Sequence, residues 1–262
     1  MLILAVLAFF AQLGHAAETL GSFFDSTRMY YVKVANGALE LHATNAADSR
    51  HCPDTDGSGA IFSTSNFDVR LSGNMTLGTP KSSYKIKLTK KSERFLEMSA
   101  LNLKSMWNDV SQMREAIAWD LFKHARVPAS GHTYAKLCID GRYQGLYSMI
   151  EEVDSSFIKD RFAKSSKGNL YKAYWEPKDV GPATLEHRVS PTGDDSGRQY
   201  FVNSDNDQRT YRLKTNDKTD DDARYQTYDD IAALARSIQS GTPEKNLDVA
   251  TFVRWAAVNV LL

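Results

Sequence analysis

This 262-residue sequence is poor in cysteine, with two, and has no net charge, because 32 basic side chains balance 32 acidic ones. Two cysteines exclude a small domain held by a framework of disulfides. A formal net charge of zero excludes a general attraction to nucleic acid or to an acidic membrane. Fifteen glycines and seven prolines are too few for a collagen or a low-complexity chain. The 42% of hydrophobic residues instead predict an ordinary globular core.

The first 17 residues contain no charged side chain. Their apolar run, Leu2 to Leu13, is too short to span a bilayer, and small residues follow at Gly14 and Ala16, the two positions that a signal peptidase reads. We therefore predict a signal peptide over residues 1–17, no membrane span, and a secreted or cell-surface protein. The alternative is a buried first helix in an intracellular protein.

Cys52 and Cys138 have two interpretations. In an exported protein they can form a disulfide, because oxidising compartments permit such bonds. The alternative is two unrelated thiols. Neither lies in a Cys-x-x-Cys motif or at metal-ligand spacing from a histidine, so the sequence predicts no metal site there.

Alternation of apolar and polar residues predicts strands in the first 150 residues, and helical spacing predicts helices after them. The predicted strands are short segments between residues 29 and 67, then residues 66–71, 84–88, 132–139 and 143–150. Asp140-Gly141 joins the last two and favours a tight hairpin turn. One predicted helix begins at Ser111, and three others cover residues 154–162, 228–238 and 248–262.

Two of these helices have specific predicted faces. Ser111 is the expected N-cap of the first, which ends before Pro128. Its expected apolar positions are Met113, Ile117, Leu121 and Phe122. The expected common face of the last helix consists of Phe252, Trp255, Ala256 and Val260.

A local excess of positive charge lies between Lys81 and Lys104, with seven basic and two acidic residues. Strand alternation places Lys85 and Lys87 on one face, after a turn that contains Gly73. Ammonium groups beside the backbone N–H groups of a glycine turn suit phosphate oxygens. The alternative is a solvated sheet face that binds nothing.

Six short segments carry a family resemblance. They are SGNMT followed by PKSSYKIKL within residues 72–88, MRE at 113–115, DGRYQGLY at 140–147, IE at 150–151, GNLYK at 168–172 and YRLKTN at 211–216. In the same order, they resemble the RGNST…PKKSYKIKL signature, the LRN helix, the NGEYxGLY hairpin and three further segments of the CotH kinases, the spore-coat protein H family of atypical protein kinases. The chain departs from that pattern at Leu71-Ser72, Met75 and Glu115, where the family usually has arginine, serine and asparagine.

The resemblance implies an α+β, protein-kinase-like fold of two lobes. After a strand-rich segment at 18–65, a sheet-based N-lobe would cover residues 66–152. The start of a helical C-lobe would cover residues 153–262, with a polar insertion at about 176–207. The implied activity is transfer of the ATP γ-phosphate to Ser or Thr of a protein, with Mg²⁺ or Mn²⁺. The implied partner is a protein substrate such as a Ser-rich coat or surface protein, and no nucleic acid.

Position within the family motifs also assigns expected nucleotide-binding residues. Lys87 is the first candidate for the phosphate-contacting lysine and Lys85 the second. The others are Gly73, Asn74, Arg114 and Glu151. The family's catalytic and metal-binding residues follow a helix similar to residues 252–262, so we expect none in this chain and expect it to be an inactive fragment by itself. The alternative function is a secreted or surface-displayed CotH-like adhesin, or a pseudokinase.

Overall fold

The computed structural model describes residues 19–44, 52, 59–73, 77–162, 168–173, 185–187, 193, 211–216 and 228–262. The expected signal peptide, Asn74 and most of the expected insertion lie outside these residues. The architecture is α+β, as predicted. The chain divides into two compact units, one formed by Met1–Leu121 with Ala129–Glu152 and the other by Phe122–Pro128 with Val153–Leu262.

A mixed sheet of eight strands is the frame of the first unit. The strands are β1 (Met29–Ala35), β2 (Ala38–Thr44), β3 (Phe62–Thr64), β4 (Phe67–Ser72), β5 (Ser83–Leu88), β6 (Ala100–Lys104), β7 (His132–Ile139) and β8 (Arg142–Glu151). Their order is β3-β2-β1-β7-β8-β6-β5-β4. β1 and β7 are parallel, and all other neighbours are antiparallel.

The core of the first unit lies on one face of this sheet. Alternation in β5 places Ile86 and Leu88 on that face, where both are fully buried. Rings of the short helix α1 (Leu20–Phe23) and its C-cap pack over the sheet, and the Phe23 ring lies 4.5 Å from that of Tyr30. Each fully buried large apolar side chain contributes roughly 1.5–3 kcal/mol, so this face stabilises the unit.

The hairpin between β7 and β8 has the predicted turn. Asp140 and Gly141 have φ values of 48° and 73°, and positive φ at both central residues is the geometry of a type I′ turn. On β7, the fully buried Cys138 forms a disulfide with Cys52. Of the two interpretations of the cysteines, the structure therefore shows the disulfide.

The helix α2 (Arg114–His124) exists as predicted, but its predicted cap is wrong, and of its predicted apolar face only Leu121 and Phe122 are half-buried. Asp109, not Ser111, accepts the hydrogen bond from the backbone N–H of Arg114, at 2.9 Å. Met113 and Ile117 are 53% and 47% exposed. Because the first turn of this helix lies against polar sheet residues, its inward positions carry small and polar side chains rather than apolar ones.

Apart from the end of α2 and a short 3-10 helix (Pro243–Lys245), the second unit contains three helices and a small sheet within its described residues. They are α3 (Ser155–Arg161), β9 (Tyr171–Ala173), β10 (Tyr211–Leu213), α4 (Asp229–Gln239) and α5 (Val249–Leu261). The three helices match the predicted segments. Tyr228 and one face of α4 pack on the two strands. On α5, Phe252, Trp255 and Val260 are 47%, 45% and 87% exposed.

Candidate functional site

The face of β5, β6 and β8 opposite the core is polar. Pairing places Lys85 opposite Asn102, which in turn lies opposite Ile150. One step along the same face, Lys104 lies opposite Ser148. Because alternate residues of a strand share a face, Lys85, Asn102, Lys104 and Ser148 form a row of cations and hydrogen-bonding groups across three strands, with Ile150 as an apolar neighbour. We call this row the polar face.

Lys85 and Glu152 form an ion pair at one end of the polar face. The Lys85 Nζ atom lies 2.8 Å from Oε1 of Glu152, and their side chains are 19% and 16% exposed. The second oxygen, Oε2, accepts a hydrogen bond from Nδ2 of Asn102 at 2.8 Å. Both oxygens of Glu152 are therefore engaged, and Lys85 is held in place beside the residue that follows β8.

Further along the polar face, Lys104 and Glu115 are close enough for their charges to interact. Lys104 is the last residue of β6, and Glu115 lies in the first turn of α2. Burial raises the pKa of the Glu115 carboxyl, while the nearby Ser148 hydroxyl and the Lys104 ammonium oppose that rise without cancelling it. The charges of the helix carboxyl and of the strand lysine are therefore coupled at this end of the polar face.

The turn between β4 and β5 begins at Gly73 and ends beside Ser83. Gly73 has φ of 109°, in a region of backbone conformation that favours glycine. At the other end, Oγ of Ser83 accepts a hydrogen bond from the backbone N–H of Ser105 at 3.0 Å. This bond ties the start of β5 to the residue that follows Lys104. The base of the glycine turn is thus fixed next to the lysine at the end of β6.

The other expected site residues occupy different surroundings. Lys87 is on the same face of β5 as Lys85 and is exposed. Arg114 is exposed, with Nε 3.7 Å from Oδ1 of Asp109. Glu151 is 4% exposed, and its Oε2 accepts a hydrogen bond from the backbone N–H of Gly131 at 3.0 Å. The structure therefore brings Lys85, but not Arg114 or Glu151, into the ion pair at Glu152.

Sequence reasoning missed three members of this site: Lys104, Glu115 and Glu152. A signal for Lys104 is present, because Ala100 to Lys104 alternates like β5 and ends in a lysine. No comparable signal marks Glu152, which adjoins the predicted Glu151 in sequence.

Metal ligation is not apparent in the part of the chain that the structure describes. No group of three or more His, Cys, Asp or Glu side chains there could hold a metal ion. What the polar face offers instead is ammonium groups and hydrogen-bond donors, which are ligands for phosphate oxygens.

In the second unit, two of the predicted motifs meet. The GNLYK and YRLKTN segments form the β9–β10 pair, and Oγ1 of Thr215 accepts a hydrogen bond from the N–H of Leu170 at 2.9 Å. Asn216 donates to Oδ1 of Asn169 at 2.9 Å. Burial, followed by the hydrogen bond to Asp230, raises the pKa of Tyr171. These contacts account for the two motifs as one structural unit.

Comparison with known proteins agrees with the resemblance. The chain matches the family model described as CotH kinase protein over residues 69–262, from β4 through α5. No curated protein sequence matches the chain. The matched range contains the polar face, the glycine turn and the β9–β10 pair. The predicted resemblance is confirmed, and the chain belongs to the CotH kinase family.

Proposed function

We propose that this protein binds ATP on the polar face and is a protein kinase that transfers the γ-phosphoryl group to Ser or Thr of a protein substrate. One observation carries the proposal: the order of elements from β4 to α2. A strand, a glycine-containing turn, a second strand, a third strand that ends in Lys104 and a helix that carries Glu115 follow one another. Protein kinases use this order to place a lysine and a helix glutamate beneath the loop that covers the ATP phosphates.

Each residue of the polar face has a role in this proposal. Lys104 would donate to the phosphate oxygens, and Glu115 would orient its ammonium group. Lys85, held by Glu152, would add positive potential beside the same ligand. Backbone N–H groups of the turn that begins at Gly73 would complete the phosphate contacts.

Bound ATP supplies the phosphoryl group, and Mg²⁺ or Mn²⁺ would neutralise charge on its phosphates. The described residues offer no metal cluster, so we assign no metal ligand to them. The contribution we derive for this chain is therefore nucleotide recognition. Phosphoryl transfer depends largely on positioning and electrostatics, which makes the lysine positions decisive.

The test compares four lysine-to-methionine variants, because methionine keeps an apolar stem and removes the charge. We expect Lys104→Met to weaken MgATP binding, measured by calorimetry, by at least about tenfold, since a charge-assisted hydrogen bond contributes roughly 1.5–3 kcal/mol. Lys85→Met should weaken it less. Lys91→Met is the matched control, because Lys91 is exposed and lies outside the polar face. Unchanged affinity in Lys104→Met would overturn this assignment.

Lys87→Met discriminates between the two possible lysine positions. A loss of affinity there, with Lys104→Met unaffected, would place the phosphates beside Lys87, as the family motif predicts. Transfer of radiolabelled phosphate from ATP to Ser or Thr of a Ser-rich protein is the second measurement. Labelling of the substrate protein by the wild type that disappears with Lys104→Met supports kinase activity. A wild-type protein that binds no MgATP contradicts the proposed function.

A second function is favoured by the Cys52–Cys138 disulfide. Structural disulfides persist in oxidising compartments and are rare in the cytosol. This bond supports export, and with it a secreted or surface-displayed protein that uses the kinase scaffold for binding. Mass spectrometry of the protein from a secreting host tests export, and we expect a mature chain that begins near Ala17 or Glu18. An intact Met1 would favour an intracellular kinase.

A further inference from the structure

Lys81 connects two sequence motifs that are far apart in the chain. It lies in the turn between β4 and β5, and its ammonium group donates a hydrogen bond to the backbone carbonyl oxygen of Leu146 in β8. The same Nζ atom lies 4.4 Å from the centre of the Tyr147 ring, a cation–π contact. The PKSSYKIKL and DGRYQGLY segments therefore meet at this lysine.

The position of this contact follows from the length of β6. The β6–β8 ladder ends where Lys104 lies opposite Ser148, so Leu146 is beyond its last pair. A backbone carbonyl at this point needs a donor from elsewhere. The Lys81 ammonium group donates to this carbonyl oxygen, where a backbone N–H of a longer β6 would otherwise have donated.

Gly145 makes room for the lysine. A Cβ atom at Gly145 would lie 3.1 Å from Cε of Lys81, closer than side chains normally pack. Gly145 also has φ of 121°, which side chains other than glycine rarely adopt. The glycine in the hairpin motif and the lysine in the turn motif thus depend on each other.

We propose that Lys81 is a positioning residue that anchors residues 77–82, which lead into β5, to β8 and so fixes the start of β5, where Ser83 is bonded to the residue that follows Lys104. The proposal rests on the proposed function, because the turn matters as part of a nucleotide site. Lys81 is not assigned as a phosphate ligand, since its ammonium is already engaged by a carbonyl oxygen and an aromatic ring. Burial also lowers the pKa of Lys81, as expected for a lysine that is partly withdrawn from water.

The first measurement is hydrogen exchange of the backbone amides between Leu77 and Ser82, with those of β5 as an internal reference. We expect Lys81→Met to speed exchange in the turn by about tenfold and to leave β5 unchanged, because one anchoring hydrogen bond and the cation–π contact are lost. Lys81→Arg, which keeps a cation that can stack on Tyr147, should restore much of the protection. Gly145→Ala should reproduce the effect of Lys81→Met, and Lys91→Met should have none.

The second measurement is MgATP affinity by calorimetry, beside the melting temperature of each variant. We expect Lys81→Met to weaken binding several-fold at an unchanged melting temperature, with recovery in Lys81→Arg. Unchanged exchange in Lys81→Met would overturn the anchor. Faster exchange with unchanged affinity would overturn the positioning role. A wild-type protein that binds no MgATP would reject the proposed function and the positioning role together, while the exchange experiment would still decide the anchor.

Discussion

Lys85 and Glu152 form an ion pair with an N···O distance of 2.8 Å, in which both side chains are more than four-fifths buried, at 19% and 16% exposure. An exposed ion pair contributes little to stability, but a largely buried one leaves an uncompensated charge when one partner is removed. Asn102 adds a hydrogen bond to the same carboxylate, at 2.8 Å. The pair therefore stabilises the end of β8 as well as placing Lys85.

Replacing Glu152 should reveal this contribution. We expect Glu152→Ala to lower the free energy of unfolding by about 1–3 kcal/mol, because Lys85 and Asn102 lose their acceptor. Glu152→Gln should cost less, since its amide oxygen still accepts one hydrogen bond. Urea denaturation of both variants, with the exposed Glu244→Ala as control, measures the difference. Equal stabilities for Glu152→Ala and the control would contradict the role of the pair.

The disulfide joins Cys52 and Cys138, which are 86 residues apart in sequence, and so closes a long loop. We expect the double variant Cys52→Ala/Cys138→Ala to lose about 2–5 kcal/mol of stability, because the unfolded chain regains the freedom that the cross-link removes. Thermal melting with and without reductant checks this. Reductant should lower the melting temperature of the wild type and leave that of the double variant unchanged. An identical response of both proteins would show that the bond contributes nothing.

Gly131 lies against the ring of Phe24, which is 5% exposed. A Cβ atom at Gly131 would lie 2.5 Å from both Cβ and Cγ of Phe24. We expect Gly131→Ala to destabilise the protein by about 1–3 kcal/mol, because the core has to shift to admit the methyl group. Gly78→Ala is the matched control, since its Cβ atom would meet nothing within 4 Å. Denaturant unfolding compares the two, and equal midpoints would contradict the prediction.

Local patterns predicted much of the fold, as the β5 alternation and the Asp140-Gly141 turn illustrate. Contacts that depend on the order of strands in the sheet could not be predicted from local sequence patterns. Lys81 and Leu146 are 65 residues apart and meet only because β6 is shorter than β8.

The sequence also could not show which of two consecutive glutamates pairs with Lys85. Glu151 and Glu152 are consecutive, yet only Glu152 pairs with Lys85, while Glu151 accepts a hydrogen bond from the N–H of Gly131. Because side chains alternate between the faces of a strand, a shift of one residue exchanges such roles. The predicted face of α2 failed in its first turn for another reason: periodicity indicates where apolar residues repeat, but the inward Glu115 lies near the polar residues Ser148 and Lys104 of the sheet.

His132 in β7 is a buried titratable side chain. It is 2% exposed, and its Nδ1 atom lies 3.3 Å from Oγ of Ser26. Nε2 is buried without a hydrogen-bond partner among the described residues. Burial lowers the pKa of His132 from 6.5 to about 4, although the charge of Asp120 opposes this shift. The folded protein therefore holds this imidazole neutral at neutral pH.

The pKa of His132 is higher in the unfolded chain than in the folded protein, and this difference makes stability depend on pH. Between pH 6.5 and pH 4 the unfolded chain binds a proton at His132 and the folded protein does not, so stability falls as the pH decreases through this window. We expect the free energy of unfolding to drop by about 2–3 kcal/mol from this group between pH 7 and pH 4.5. His132→Gln should lack that part of the dependence, whatever its stability at pH 7, while the exposed His124→Gln should keep it. Carboxylates other than Asp120 titrate alike in all three proteins. The difference between their profiles of unfolding free energy against pH, each measured by urea denaturation, therefore isolates His132 together with its interaction with Asp120. Parallel profiles for wild type and His132→Gln would mean that the imidazole is protonated inside the fold, and that the charge of Asp120 outweighs burial.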